Sequence, residues 1–145
     1  MIKNLLAAFA VFATIFFSFP MGSSVFAAPQ DTLTVYYFHT QYRCYSCTLL
    51  EEYTRDTVNK NFPAELKSGK IKFISINIEE PANRHYIEDY QISFKSVIVS
   101  VRDSKGKERK WQNLSKVWIY LRNREAFSNY IVTEIQKNLK GISGA

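Results

Sequence analysis

The sequence predicts an α/β protein in which helices cover a mixed four-stranded sheet. Two observations carry this prediction. Short runs of β-branched and aromatic residues, typical of strands, alternate along the chain with stretches in which apolar residues recur at helical spacing. In addition, the 145 residues contain no internal repeat, long linker or low-complexity stretch that would mark a second domain.

The N-terminal residues have the three parts of a secretory signal peptide. Lys3 supplies a positive charge, residues 5–19 are almost wholly apolar, and residues 25–27 fit the small-residue rule for cleavage. We therefore expect a signal peptide over residues 1–27, a single domain over residues 28–145, and a location in the periplasm or outside the cell. The apolar run is short for a membrane span, which needs about 20 residues. We expect no span in the mature chain, and an uncleaved anchor is the alternative.

The charge of the chain points to no particular class of partner. Of the 19 Lys and Arg residues, one lies in the predicted signal peptide, which leaves 18 basic against 13 acidic side chains and a net charge of +5. These charges are scattered and form no long basic block. Because nucleic-acid binding proteins concentrate their basic residues, we expect no nucleic-acid partner.

Each predicted element has its own local signal. Four segments have the pattern of strands, and they lie at residues 33–38, 71–78, 96–101 and 107–111. Helical spacing or start signals mark residues 44–60, 81–90, 114–121 and 127–139. Pro63 marks the exit from the first helix, and Pro81 suits the first turn of the second. Residues 103–106 form a turn signal between the last two strands, and Gly141 predicts the end of the last helix.

The predicted order is β-α-β-α-β-β-α, with one extra helix before the last. Because helices join the first three strands, we expect these strands to be parallel and the last strand to add an antiparallel edge. Helices on both faces give a three-layer α/β/α arrangement, which is the thioredoxin-like layout. Glu51 and Glu52 are expected in the first turns of the first helix, where the helix dipole favours negative charge.

The chain has two cysteines, and their spacing is C-x-x-C. A bridge between Cys44 and Cys47 closes a very small loop and removes little entropy from the unfolded chain, so stability explains the pair poorly. At the predicted strand–helix junction, backbone N–H groups favour the thiolate of Cys44, and Arg43 adds a positive charge. We therefore expect Cys44 to be the nucleophile and Cys47 the resolving thiol.

Two alternatives remain open for the cysteine pair. One is a permanent local disulfide that takes part in no exchange. The other is a metal site, since His39, Cys44, Cys47 and His85 would complete a Cys2His2 set, or two chains could share their pairs. The spacing of the histidines is not that of a zinc finger. We expect His39 to bond a loop backbone and His85 to lie on the surface, with no metal and no cofactor.

The mature chain resembles the ArsF-like family of exported thioredoxin-fold proteins. The first matching block is Tyr37-Phe38-His39, Arg43-Cys44-x-x-Cys47, Glu51 and Tyr53. The later blocks are Asn77-Ile78-Glu79-Glu80-Pro81, Asp89-Tyr90-Gln91 and Trp111-x-Asn113-Leu114-x-x-Val117-Trp118. Together they extend over nearly the whole mature chain.

The resemblance implies a thioredoxin-like fold and a redox role. Members are often labelled as subunits of a nitrophenyl-compound nitroreductase, but nothing in this sequence looks like a flavin or nicotinamide site. The expected function is a thiol–disulfide oxidoreductase acting on exported protein dithiols or disulfides, or an accessory subunit of a redox complex. The alternative is a non-catalytic thioredoxin-fold module that binds a metal or a partner protein.

Lys95 stands where thioredoxins have a proline with a cis peptide bond, just before the third strand. A cis bond before any other residue costs about 2.5–4 kcal/mol, so we expect a trans bond here. Two predictions compete. Lys95 supports the site by lying near Cys44 and lowering the pKa of its thiol, or the loss of proline opens the cysteine pair to a metal.

Overall fold

The computed structural model describes residues 30–143. The predicted signal peptide at residues 1–27 lies outside the described residues. Within them, no helix combines the length and the apolar character that crossing a membrane requires. The described residues form an α/β structure with one mixed four-stranded sheet and five α-helices.

All four predicted strands are present, with ends that differ from the prediction by at most two residues. They are β1 (Thr32–His39), β2 (Ile71–Asn77), β3 (Ser96–Arg102) and β4 (Glu108–Asn113). The turn between β3 and β4 was also predicted correctly. Asp103 Oδ1 accepts hydrogen bonds from the backbone N–H groups of Lys105 and Lys107, and Gly106 takes the left-handed φ of 80° that glycine adopts without steric cost.

The helices agree less closely with the prediction. They are α1 (Tyr45–Asn61), α2 (Pro63–Lys67), α3 (His85–Asp89), α4 (Val117–Tyr120) and α5 (Arg124–Ser143), and a 3-10 turn at Pro81–Asn83 precedes α3. Pro63 was predicted to mark the exit from α1, and α2 was not predicted. Instead, Pro63 begins a second short helix, because proline lacks an N–H and is tolerated in a first turn.

Gly141 does not end the last helix, so that prediction was wrong. Helix α5 continues to Ser143. A glycine ends a helix when it takes a positive φ, and Gly141 is not among the described residues that do so. A methyl group added at Gly141 would lie 3.6 Å from Lys110 Nζ. The glycine is therefore an interior residue of the helix, next to the side chain of a β4 residue.

The strand order is β2-β1-β3-β4. Strands β1 and β2 are parallel, but β3 is antiparallel to both β1 and β4. The prediction that the first three strands are all parallel was therefore wrong. A parallel β3 would require the chain to return along the full length of the sheet, about 23 Å for seven residues. Helix α3 has five residues, which span about 7.5 Å.

Because the chain does not return, three segments meet at one edge of the sheet. His39 at the end of β1 pairs with Asn77 at the end of β2. Phe38 pairs with Ser96 at the start of β3. We call this place the disulfide edge, since the loop from β1 to α1 that carries both cysteines begins there.

The sheet has an apolar core on each face. On one face, Leu33, Val35 and Tyr37 pack with buried residues of α1 and α5. On the other face, Tyr36 and Phe38 pack with residues in and around α3, among them Tyr90. Helices α1 and α5 thus cover the first face, whereas the second face is covered by the five-residue α3 and by the segments around it.

Helix α5 holds its face of the sheet through fully buried side chains. Phe127 is completely buried, and its ring contacts Tyr53 of α1 edge-on at 5.7 Å between centroids. We expect Phe127→Ala to lower the free energy of unfolding by about 3–5 kcal/mol, because truncation leaves a cavity. Urea denaturation of the oxidised protein measures this loss.

The matched control is Ile119→Ala in α4, where the side chain is 72% exposed. We expect this variant to stay within about 0.5 kcal/mol of the original protein. Equal losses in the two variants would contradict the packing of α5 on α1 described above.

Candidate functional site

Cys44 and Cys47 form a disulfide at the start of α1. Their sulfur atoms are 2.07 Å apart. Cys44 is the N-cap residue of α1 in an extended conformation, and its Sγ accepts a hydrogen bond from the backbone N–H of Cys47 at 3.2 Å. The predicted strand–helix junction is therefore present, and the first cysteine is at the position where a side chain caps the helix.

The two sulfur-bearing side chains differ in exposure. Cys44 is partly exposed, whereas Cys47 is completely buried. An attacking thiolate from solvent reaches Cys44 more readily than Cys47. Unpaired N–H groups and the helix dipole at the start of α1 favour negative charge on the same sulfur. The exposure of the sulfur and the electrostatics of the helix start therefore both indicate that Cys44 is the more reactive cysteine.

Glu51 connects the second turn of α1 to the residue before Cys44. Its two carboxylate oxygens form ion pairs with Arg43 and Arg55, and its side chain is 11% exposed. The first turn of α1 contains no acidic residue, so Glu51 and Glu52 lie beyond the turn in which the helix dipole acts on a charge. The helix begins at Tyr45, which puts Glu51 one turn beyond Cys47, where it faces arginines rather than the helix N-terminus.

Tyr37 supports the disulfide from β1. Its buried hydroxyl donates a hydrogen bond of 2.8 Å to the backbone oxygen of Cys47. The guanidinium carbon of Arg43 lies 5.6 Å from the centroid of the Tyr37 ring, within the range of a cation–π interaction. Burial raises the pKa of the Tyr37 phenol, and the positive charge of Arg43 opposes this shift in part. The phenol is thus a neutral donor at physiological pH.

The two histidines lie where the sequence analysis expected them. His39 Nδ1 lies 3.0 Å from the Thr40 carbonyl oxygen, and it donates in the tautomer that carries a proton on Nδ1. His85 is exposed at the start of α3. Among the described residues, no group of three or more His, Cys, Asp or Glu side chains is placed to hold a metal ion. The four residues of the proposed Cys2His2 set therefore do not form a cluster within one chain.

Lys95 lies in the loop that leads into β3. The peptide bonds of the described residues are all trans, which confirms the expectation for this loop. Lys95 Nζ lies 5.3 Å from the centroid of the Phe94 ring. The Lys95 carbonyl accepts a hydrogen bond of 3.1 Å from the indole N–H of Trp118. The loop is thus tied to α4 through its backbone, and its charged group lies on an exposed ring.

A small cavity of about 200 Å³ lies at the disulfide edge. It brings together two predicted supporting residues, and its lining residues are His39, Thr40, Ile78, Ile92, Ser93, Phe94 and Lys95. Three aromatic side chains in the neighbouring loops and at the start of α1 are exposed, namely Phe94 at 56%, Tyr42 at 75% and Tyr45 at 80%. A larger cleft of about 540 Å³ lies elsewhere, between the C-terminal half of α1 and the start of α5, and its lining is polar.

A comparison with models of protein families finds none that matches the chain, and a comparison with curated proteins finds no match either. The inference of function therefore depends on the geometry of the cysteine pair.

Two residues of the site were not identified as functional from the residue pattern. Glu51 carries a weak signal, because it is four residues after Cys47 and four before Arg55, a spacing that brings side chains together on a helix. Tyr37 carries no such signal. Its hydroxyl reaches Cys47 because β1 packs under α1, and only the tertiary structure shows this contact.

The hydrogen bond from Tyr37 to Cys47 gives a stability prediction. We expect Tyr37→Phe to lower the free energy of unfolding of the oxidised protein by about 1 kcal/mol, because a buried carbonyl loses its donor. Urea denaturation measures the change. Tyr42→Phe is the matched control, since Tyr42 is exposed, and a similar loss in both variants would count against the bond.

The raised pKa of Tyr37 also predicts a pH dependence. The unfolded tyrosine loses its proton near about pH 10, whereas the folded one keeps it to higher pH. The folded state then binds more protons than the unfolded state, so stability falls as pH rises through this range. We expect the stability advantage over Tyr37→Phe to be present at about pH 8 and to shrink above about pH 10. An advantage that stays constant up to about pH 11 would contradict the assignment.

Proposed function

We propose that the protein is an exported thiol–disulfide oxidoreductase in which Cys44 exchanges with protein partners and Cys47 resolves the mixed disulfide. The observation that carries this proposal is the asymmetry of the pair. The sulfur at the N-cap of α1 is partly exposed, and its partner is buried. A structural bridge has no need of this difference, whereas exchange requires one sulfur to be accessible and the other to be protected.

The chemistry transfers two electrons. When the protein acts as oxidant, a substrate thiolate attacks Cys44 Sγ, the Cys44–Cys47 bond breaks, and Cys47 leaves as a thiolate. A second substrate thiolate then attacks the substrate sulfur of the mixed disulfide and releases Cys44. The substrate gains a disulfide and the protein ends with two reduced cysteines. The protons that the two substrate thiols gave up pass to the released sulfurs or to solvent. The reverse sequence reduces a substrate disulfide.

Several features support the finer parts of the proposal. The parallel β1–α1–β2 unit, the antiparallel β3–β4 hairpin and the position of Cys44 agree with a thioredoxin-like fold. The N-terminal sequence pattern supports export. The resemblance to the ArsF-like family supports a redox role, either with exported protein dithiols and disulfides or as an accessory subunit. The exposed rings of Tyr42 and Tyr45, which are close to Cys44 in the chain, offer apolar contacts to such a partner.

A redox titration of the purified protein against glutathione, with free thiols trapped and counted by mass, tests the proposal. We expect reversible exchange with a midpoint between about −270 and −120 mV, the range of known exchange proteins. A midpoint below about −300 mV would mean that glutathione does not reduce the disulfide and would indicate a structural pair. Thiols that titrate only after a chelator is added would indicate a metal site instead.

The roles of the two cysteines are tested by alkylation after reduction. We expect Cys44 to react with iodoacetamide at least about ten times faster than Cys47 at neutral pH. Cys44→Ser should abolish exchange, and Cys47→Ser should accumulate a mixed disulfide at Cys44. Ser46→Ala is the control, because Ser46 is exposed between the cysteines and its substitution leaves the pair intact. Equal, slow reactivity of both thiols would refute the assignment.

A further inference from the structure

We propose that Glu51 is a positioning residue that sets the redox potential of the Cys44–Cys47 pair through Arg43. Its carboxylate holds the guanidinium on the Tyr37 ring and offsets its positive charge. The pair is thereby less oxidising than it would be beside an unpaired arginine. This inference rests on the proposed exchange function.

The nearly buried carboxylate of Glu51 forms ion pairs with two arginines. One oxygen of Glu51 pairs with Arg43 and the other with Arg55. Arg55 points away from the cysteines, since its guanidinium carbon lies 5.6 Å from the centroid of the Phe73 ring. Each carboxylate oxygen already accepts from a guanidinium group, so Glu51 is better placed to position charge than to accept a proton from Cys47.

Arg43 is held from two sides. It directly precedes Cys44, its side chain is 32% exposed, and it lies between the carboxylate of Glu51 and the face of the Tyr37 ring. Tyr37 in turn donates to the backbone of Cys47. These contacts link the residue before one cysteine to the backbone of the other through Tyr37, and Glu51 holds Arg43 from the opposite side.

The charges determine the direction of the effect. The carboxylate of Glu51 offsets the guanidinium charge of Arg43, with which it forms an ion pair, and replacing it by an amide of the same shape leaves the positive charge of Arg43 unpaired. A positive charge next to Cys44 stabilises the thiolate of the reduced protein, and stabilising the reduced form makes a disulfide more oxidising. His39 and Lys95, the two basic residues that line the cavity at this edge, are the same in the original protein and in the variants.

The test is the equilibrium of the purified protein with glutathione. Two glutathione thiols give two electrons and two protons to the Cys44–Cys47 disulfide, which yields the dithiol protein and one glutathione disulfide. We expect Glu51→Gln to shift the equilibrium constant roughly 3- to 10-fold toward the reduced protein, up to about 30 mV. Arg43→Gln should shift it in the opposite direction. The pKa of the Cys44 thiol, from alkylation rates at several pH values, should fall in the first variant and rise in the second.

A double-mutant cycle tests whether Glu51 acts through Arg43. In the Arg43→Gln background, the effect of Glu51→Gln should fall to less than half. An equal effect in both backgrounds would mean that Glu51 acts directly on the sulfur and would overturn the proposal. Glu52→Gln is the matched control, because Glu52 is exposed on the same helix and should leave the constant unchanged.

Arg43→Lys keeps the test decisive if Glu51→Gln does not fold. Lysine retains the charge but lacks the fork that pairs with a carboxylate. We expect a smaller shift in the same direction as Glu51→Gln, and no shift or a shift in the opposite direction would overturn the proposal. The outcomes also separate the two proposals. A protein that never exchanges with glutathione contradicts the proposed function, whereas exchange with unchanged constants in these variants contradicts the role of Glu51 alone.

Discussion

The structure depends on the burial of β1 between two other strands and between two apolar cores. Every residue of β1 from Leu33 to Phe38 is buried, and the strand pairs with β2 on one side and β3 on the other. A one-residue shift in the register of such a central strand would exchange the side chains that face its two cores, so the register is strongly specified. Its end at His39 is therefore a fixed point, and the loop that carries the cysteines starts from it.

The chemistry follows from what this fixed point brings together. Helix α1 begins within a few residues of the end of β1, so Cys44 caps the helix and Cys47 is buried against the sheet. Tyr37, on β1 itself, bonds the backbone of Cys47. The same packing makes one sulfur accessible and the other protected. This difference in exposure, which results from folding, is the basis for the two chemical roles that we propose for the cysteines.

Local sequence signals were sufficient for some parts of the structure and insufficient for others. The four strands were predicted within two residues because β-branched runs such as residues 96–101 favour strands over other secondary structure. The direction of β3 was missed, since nothing local shows whether a connection crosses the sheet. Helix α2 and the continuation of α5 through Gly141 were missed because Pro63 and Gly141 are end signals only in certain backbone conformations.

By itself, the sequence determined the α/β class, the C-x-x-C pair, its position at a strand–helix junction and the exposed His85, because each depends on residues close together in the chain. The tertiary structure alone decided the direction of β3, the burial of Cys47 and the convergence of Tyr37, Arg43 and Glu51 on one site. It also decided that Lys95 and His39 line one cavity. These features depend on how buried side chains of separate elements pack together, and the free energy of that packing is a property of the whole core rather than of any local segment.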